Sequence, residues 1–444
     1  MGAPPLSPVQ AERTKWAPLI NRSFARLWSG QVVTDLGTVV FNTALVVWVA
    51  SVLAHGHPWA PLAVSGLLLA QSLPMVVVRP FAGVFVDRWD VRRTMLRMDA
   101  VRVALVALLL VPVTLPLAPA WQLAAVYLVV LLVSACGQFF NPALLALIND
   151  LVPEEDLPRA SGLSEVTWST ASVLGPPLAA PLVLSLGIAW VLVLNAGSFA
   201  VSYVTLRAIH PPQRADRSGE GASRVLEELR DGLRFVLANH TVRTVTLAIA
   251  IAMLGAGTLH ALDYFFVTES LHAAPALYGL VGLAFGGGSI VGALLAGRIA
   301  PRLGVARTFV YALLGVGVAI VVLSRQTSLA PALVVWVVFG AVNAAANVAM
   351  MPLLLGATPR ALVGRMNALF FTAITVTSLL SSTLAGWLDS DVLRGFSMTL
   401  LGMRLGPVDT LLALAGLLIC ASGVYAAAKL YNAVGITCRD RRVA

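Results

Sequence analysis

Twelve apolar runs of about 20 residues fill most of this chain, and nothing else in it restricts the possible folds so severely. They lie at 27–53, 60–83, 99–118, 121–148, 161–184, 188–206, 244–267, 276–299, 306–324, 329–355, 366–388 and 408–430. Each is long enough to cross ~30 Å of hydrocarbon as a helix, which satisfies its own backbone hydrogen bonds there. A charged fraction of 11% and a mean hydropathy of +0.86 exclude an ordinary soluble globule, in which about a quarter of residues are charged. The expected class is an all-α polytopic membrane protein with twelve transmembrane helices. The first 26 residues are polar and the run from Leu27 is too long for a signal sequence, so no cleaved leader is expected. Cys136, Cys420 and Cys438 are scattered, which suits neither disulfides nor a metal cluster.

A net charge of +9 would suggest a nucleic-acid surface in a soluble chain. Here its placement accounts for it. With the N-terminus inside, 26 of the 30 Lys and Arg residues fall on the inner side, against Arg325, Arg394 and Arg404 outside and Arg79 within a run. The positive-inside rule therefore puts both termini in the cytoplasm, in the cell membrane. The bilayer and a small-molecule substrate are the expected partners, with no nucleic acid, and a monomer is expected.

The chain also repeats itself. "GVFVDRWDVRR" at 83–93 follows the second run as "GRIAPRLGVAR" at 297–307 follows the eighth, with Gly83 over Gly297, Arg88 over Arg302 and Arg93 over Arg307. "NPALLALINDLVPEEDLPRASGL" at 141–163 pairs with "MPLLLGATPRALVGRMNAL" at 351–369, and "NRSFAR" at 21–26 echoes "NHTVR" at 239–243. An even number of spans per half gives both halves the same orientation, a parallel repeat about the membrane normal. The organisation expected is a tail at 1–26, a six-helix bundle at 27–208, a central loop at 209–240, a second bundle at 241–431 and a tail at 432–444. Leu226, Leu229, Leu233 and Val236 share one helical face of the central loop. That segment reads either as an amphipathic helix on the inner membrane face or as a tether with a helical turn or two.

These features resemble the major facilitator superfamily. Gly83, Asp87, Arg88 and Arg92 fit its loop signature G-x-x-x-D-R-x-G-R-R, while Asp90 and Val91 depart from it. "DRWDVRR" followed by "DAVR" (Asp99, Arg102), together with "FARLWSGQVVTDLGTVVFNTAL" at 24–45, is similar to the macrolide-efflux and enterobactin-exporter branch. "GPPLAAP" at 175–181 resembles the fifth-helix motif of antiporters at Gly175 and Pro176, with Ala179 and Ala180 in place of later glycines. The resemblance implies two six-helix bundles and a secondary transporter working by alternating access.

The dense charge at 83–93 then reads as a gate latch. By resemblance Asp87 meets the eleventh helix, which begins near Arg365, and Arg92 or Arg93 reaches Asp150. Arginines alone would serve as a topogenic turn, but alternating acid and base, with Asp99 and Arg102 three apart on one face, favours a network.

Within the spans, Asp35 lies nine residues beyond Arg26, roughly 13 Å into the membrane. A carboxylate there is costly enough to need a role, either as a proton or substrate site or as partner of Arg79. His260 and Asp263, three apart, form a proton relay or simply face water near the interface. Asn42, Asn195, Asn343 and Asn347 line a cavity or bridge helices. No ATP-binding motif is present; "GGGS" at 286–289 lies inside a span with no Walker lysine. No H-E-x-x-H or G-x-S-x-G motif appears, so an enzyme is not expected. The expectation is a cofactor-free carrier, coupled to protons, that exports a drug-like or secreted amphipathic molecule. The alternatives are an importer or metabolite carrier of the same fold and, remotely, a membrane scaffold or sensor.

Overall fold

The computed structural model describes residues 20–209, 230, 233–359, 362–393, 398–400 and 403–440. The side chains of Pro80, Gly83, Val84, Asp87, Arg88 and of residues 398–400, 403–405 and 431–440 lie outside that description. The first half contains α1 (Arg22–Trp48), α2 (Ala60–Val77), α3 (Arg79–Arg88), α4 (Val91–Thr114), α5 (Pro119–Leu151), α6 (Leu157–Leu186) and α7 (Ile188–Arg207). The second contains α8 (His240–Phe265), α9 (Gly279–Leu303), α10 (Val305–Leu323), α11 (Leu329–Gly356), α12 (Val363–Trp387) and α13 (Pro407–Asp440). With α2 and α3 counted as one span, the twelve expected spans are formed. Pro80 explains the division: it has no N–H to continue the ladder, and it sits at the start of the new helix where none is needed. Among the described residues, eleven helices are apolar and long enough to cross a membrane; α4 adds 24 residues, with its charges confined to its first half.

Two features were not legible in the sequence. The helices α1, α8 and α12 each run on into a five-residue π turn, Val49–Leu53, Phe266–Ser270 and Leu388–Val392. Between α12 and α13 lies an antiparallel hairpin, β1 (Met398–Leu400) with β2 (Met403–Leu405), in which Thr399 faces Arg404. In the central loop, residues 233–238 are helical with Val236 buried; Leu226 and Leu229 lie outside the described residues.

The chain divides into two compact units, Met1–Leu45 with Val77–Gly221 and Val46–Val76 with Ala222–Ala444. In the first, α4 packs against α5 and α7. There α1 meets α7 where Thr34 Oγ1 donates to the Ser198 carbonyl at 3.2 Å. In the second unit, α9 packs on α11 and α8 on α12 and α13. Lipid tails are as apolar as leucine, so helices associate there by close backbone approach rather than by hydrophobic burial. Among these contacts the α9–α11 seam is the tightest: a Cβ on Gly288, Gly292 or Gly340 would strike the carbonyl oxygen of Val337, Ala341 or Phe285.

Each repeat carries the same fastening at its entrance. Asn21 caps α1, its Oδ1 accepting from the Phe24 N–H at 2.8 Å, while its Nδ2 donates to the Leu151 carbonyl at the end of α5 at 2.8 Å. Asn239 caps α8, accepting from the Val242 N–H at 3.0 Å, and donates to the Ala357 carbonyl just past α11 at 3.0 Å. One amide thus satisfies orphan groups at two helix ends. Asn21→Asp keeps the cap acceptor but loses the donor, so it is expected to destabilise less than Asn21→Ala. The alanine variant should cost about 1–2 kcal/mol, read by thermal unfolding in detergent.

Candidate functional site

The charged loop folds into an ordinary helix start with one unexpected reach. Asp90 caps α4, its Oδ1 accepting from the Arg93 N–H at 2.7 Å. Trp89 stacks between Phe85 and Phe139, with ring centroids 5.4 and 6.0 Å away. Arg92 does not go to Asp150 as expected. Its Nε donates to the Leu206 carbonyl at 3.2 Å and its Nη2 to Arg207 at 2.6 Å, at the C-terminus of α7. The reason is electrostatic: unpaired carbonyls and the negative end of the helix dipole attract a cation. Arg93 is exposed. The side chains of Gly83, Asp87 and Arg88 lie outside the described residues.

Asp99 and Arg102 also depart from the expected rim network. They lie two to three turns inside α4, 0% and 7% exposed, and pair with each other at 3.5 Å. The Arg102 guanidinium lies between the rings of Phe140 on α5 (4.7 Å) and Phe199 on α7 (5.2 Å). Gly137 on α5 leaves it room, since a Cβ there would be 3.1 Å from Nη2. Asp99 Oδ2 and Arg102 Nε are buried without a hydrogen-bond partner among the described residues. The pair therefore clamps α4, α5 and α7 together inside the first unit.

Asp35 occupies a distinct place. On α1 it shares a face with Trp28 and Val39, seven residues before it and four after. Both neighbours meet α6: the Trp28 Nε1 donates to Thr167 Oγ1 at 2.9 Å, and Val39 fills the space over Gly175. The half-buried carboxylate thus faces the helix that carries Gly175 and Pro176. Pro176 stands inside the unbroken α6, as do Pro177 and Pro181. The alternative pairing with Arg79 is not formed. Arg79 starts α3 beyond the break and is exposed, and Asp35 has no ion-pair partner among the described residues. Gln31, one turn earlier on α1, has a buried Nε2 without a hydrogen-bond partner among the described residues. Asn42 is half-buried farther along the same helix. Asn195 is buried, and its Oδ1 would lie 3.4 Å from a Cβ on Gly37.

In the second unit Asp263 takes a partner the spacing did not suggest. Tyr278 Oη, across the turn before α9, donates to Asp263 Oδ2 at 2.9 Å, and the Tyr278 ring packs edge-on against Tyr264 at 5.3 Å. His260 is exposed, and no His260–Asp263 pair forms among the described residues. Tyr278 stands outside any helical repeat with Asp263, so periodicity could not have found it. Asn347 Nδ2 donates to the Asn343 carbonyl of its own helix at 3.1 Å, which is local satisfaction rather than a bridge between helices.

Comparison with known proteins agrees with this architecture. The chain is 26% identical over 301 residues to the MFS-type transporter YkuC of Bacillus subtilis, covering 64% of this chain and 66% of that one. It is 23% identical over 275 residues to macrolide efflux protein A of Streptococcus pyogenes, covering 62% and 66%. It is 25% identical over 300 residues to the enterobactin exporter EntS of Escherichia coli O1:K1, covering 65% and 70%. The matches thus span just under two thirds of the first two relatives' length. Among solved structures, a bacterial homologue of the iron transporter ferroportin in an inward-facing state superposes with a TM-score of 0.69 at 14% identity, covering 90% of this chain and 98% of that one. The D-xylose–proton symporter gives 0.65 at 15%, covering 88% and 96%. These two establish the fold. The model of one family, described as transmembrane secretion effectors, matches residues 13–422, from ahead of α1 into α13, and the chain therefore belongs to that family of MFS transporters.

Proposed function

We propose that this protein exports an amphipathic organic molecule from the cytoplasm in exchange for protons, by alternating access, with both termini cytoplasmic. The observation that carries the proposal is Asp35, a half-buried carboxylate within a membrane span that has no ion-pair partner among the described residues. A carboxylate placed so is free to take and release a proton, which a structural salt bridge would prevent. It faces α6, whose Gly175–Pro176 resembles the fifth-helix motif of antiporters. The likeness to a macrolide efflux protein and to an enterobactin exporter supports export of a bulky, partly apolar molecule.

The test is accumulation of a panel of macrolides, catecholate siderophores and dyes in an efflux-deficient host, with and without a protonophore. The wild type is expected to lower accumulation of at least one compound, and the protonophore to abolish the effect. Asp35→Asn is expected to reduce proton-driven efflux by about tenfold or more, equivalent to some 1.4 kcal/mol of lost coupling. Efflux that ignores the protonophore, or an Asp35→Asn variant with unaltered flux, would rule the proton role out.

A further inference from the structure

Four arginines stand in the first half of α4, and the protein itself satisfies two of them. Arg92 reaches the carbonyl oxygens that end α7, and Arg102 is buried against Asp99. Arg93 and Arg97 are exposed, and among the described residues neither side chain has a hydrogen-bond or ion-pair partner. Four residues apart on one helix, they lie one above the other, about 6 Å along its axis.

The side of α4 that packs on α5 and α7 holds Val91, Met95, Asp99, Arg102 and Val106, all buried. Arg93 and Arg97 lie on the opposite side. That side continues through Ala100, Ala104, Leu108 and Val111, all exposed. From Ala100 to Val111 it rises about 16 Å, the depth of one leaflet of a ~30 Å hydrocarbon core. It is apolar over that whole distance, so acyl chains can lie along it with two cations at their head. Trp89, one turn before Arg93, is exposed and is held by stacking on Phe139 of α5. An indole so placed marks the headgroup level, where aromatic rings gather. Asp90 stands on the same edge, but its Oδ1 is engaged by the Arg93 N–H as the cap of α4. Asp90, Arg93 and Arg97 together leave the edge net positive.

We propose that Arg93 and Arg97 form a binding site for the phosphate of an anionic phospholipid, whose acyl chains run along the outward side of α4 from Ala100 to Val111. A guanidinium at the edge of hydrocarbon gives up part of its hydration, and a lipid phosphate is the anion found at that depth. The planar fork of arginine matches phosphate oxygens in pairs, and two forks one turn apart embrace a single headgroup. Their charge favours a headgroup of net negative charge over a zwitterionic one, whose ammonium they repel. The site lies wholly within the first unit. It rests on the chain being a membrane transporter and is independent of substrate, direction or coupling ion.

The experiment counts lipids retained by the full-length protein in native mass spectrometry, with phosphatidylglycerol or phosphatidylcholine titrated into detergent. The wild type is expected to hold phosphatidylglycerol at least about fivefold more tightly than phosphatidylcholine. Arg93→Gln and Arg97→Gln should each weaken phosphatidylglycerol about fivefold, and the double variant about twentyfold, with phosphatidylcholine unchanged. Arg97→Lys, which keeps the charge and loses the fork, should fall between wild type and Arg97→Gln. Arg243→Gln is the charge-matched control. It is also exposed, but its Nη1 already donates to the Leu237 carbonyl at 3.1 Å, so lipid retention should match wild type. Undiminished phosphatidylglycerol binding in a monodisperse double variant would overturn the proposal. So would a wild type that holds the two lipids equally, or a loss in Arg243→Gln as large as in Arg97→Gln, which would mean that overall charge gathers the lipid.

Discussion

Arg102→Met is expected to destabilise the first unit by roughly 3–5 kcal/mol, the cost of leaving one partner of a buried ion pair uncompensated. The carboxylate of Asp99 is wholly shielded and would lose its counter-ion. The rings of Phe140 and Phe199 would lose a cation held at 4.7 and 5.2 Å, and each such contact contributes about 0.5–2 kcal/mol. The comparison that isolates the charge is the double variant Asp99→Asn/Arg102→Met, which removes both ions and retains most of the volume. It should regain more than half of the stability lost by the single change, because an apolar replacement of a buried pair is often close to neutral. Denaturant titration in detergent measures both. A single variant as stable as the parent would mean that the pair does not clamp α4, α5 and α7.

Gly340→Leu should disrupt the second unit to a similar degree. The glycine on α11 lies against the Phe285 carbonyl of α9, and the Ser289 hydroxyl donates to the Gly340 carbonyl at 3.2 Å. Gly288 and Gly292 on α9 meet Val337 and Ala341 in the same way, so the obstruction is backbone and cannot turn aside. Overpacking a close seam costs typically 1–3 kcal/mol, and more where neither side can give. The expected outcome is loss of folded protein, measured as the monodisperse fraction after extraction. Gly287→Leu serves as control: it lies on the same helix, but a Cβ there meets nothing within 4 Å, so it should behave as wild type.

Much of the architecture can be read from the sequence because a span has to be apolar over its whole length, and each half repeats the same loops in the same order. Depth and partners are harder to read. The apolar run of the third span starts at Asp99, which placed Asp99 and Arg102 at the rim; the helix starts at Val91, and the two residues lie inside it. Arg92 pairs with backbone carbonyls, which no pattern of side chains records. Asp263 pairs with Tyr278 across a turn, where helical spacing has no reach. Asn21 and Asn239 were visible as a repeated letter, but the far helix end that each one holds was not.

Those two asparagines have a mechanical consequence. A single planar amide has little freedom once its oxygen and nitrogen are both engaged, so the first and fourth spans of each half are pinned to each other at one end. Bending needed elsewhere has to be absorbed by joints without such a rivet, and in the first half the chain provides one at Val78, where α2 gives way to α3.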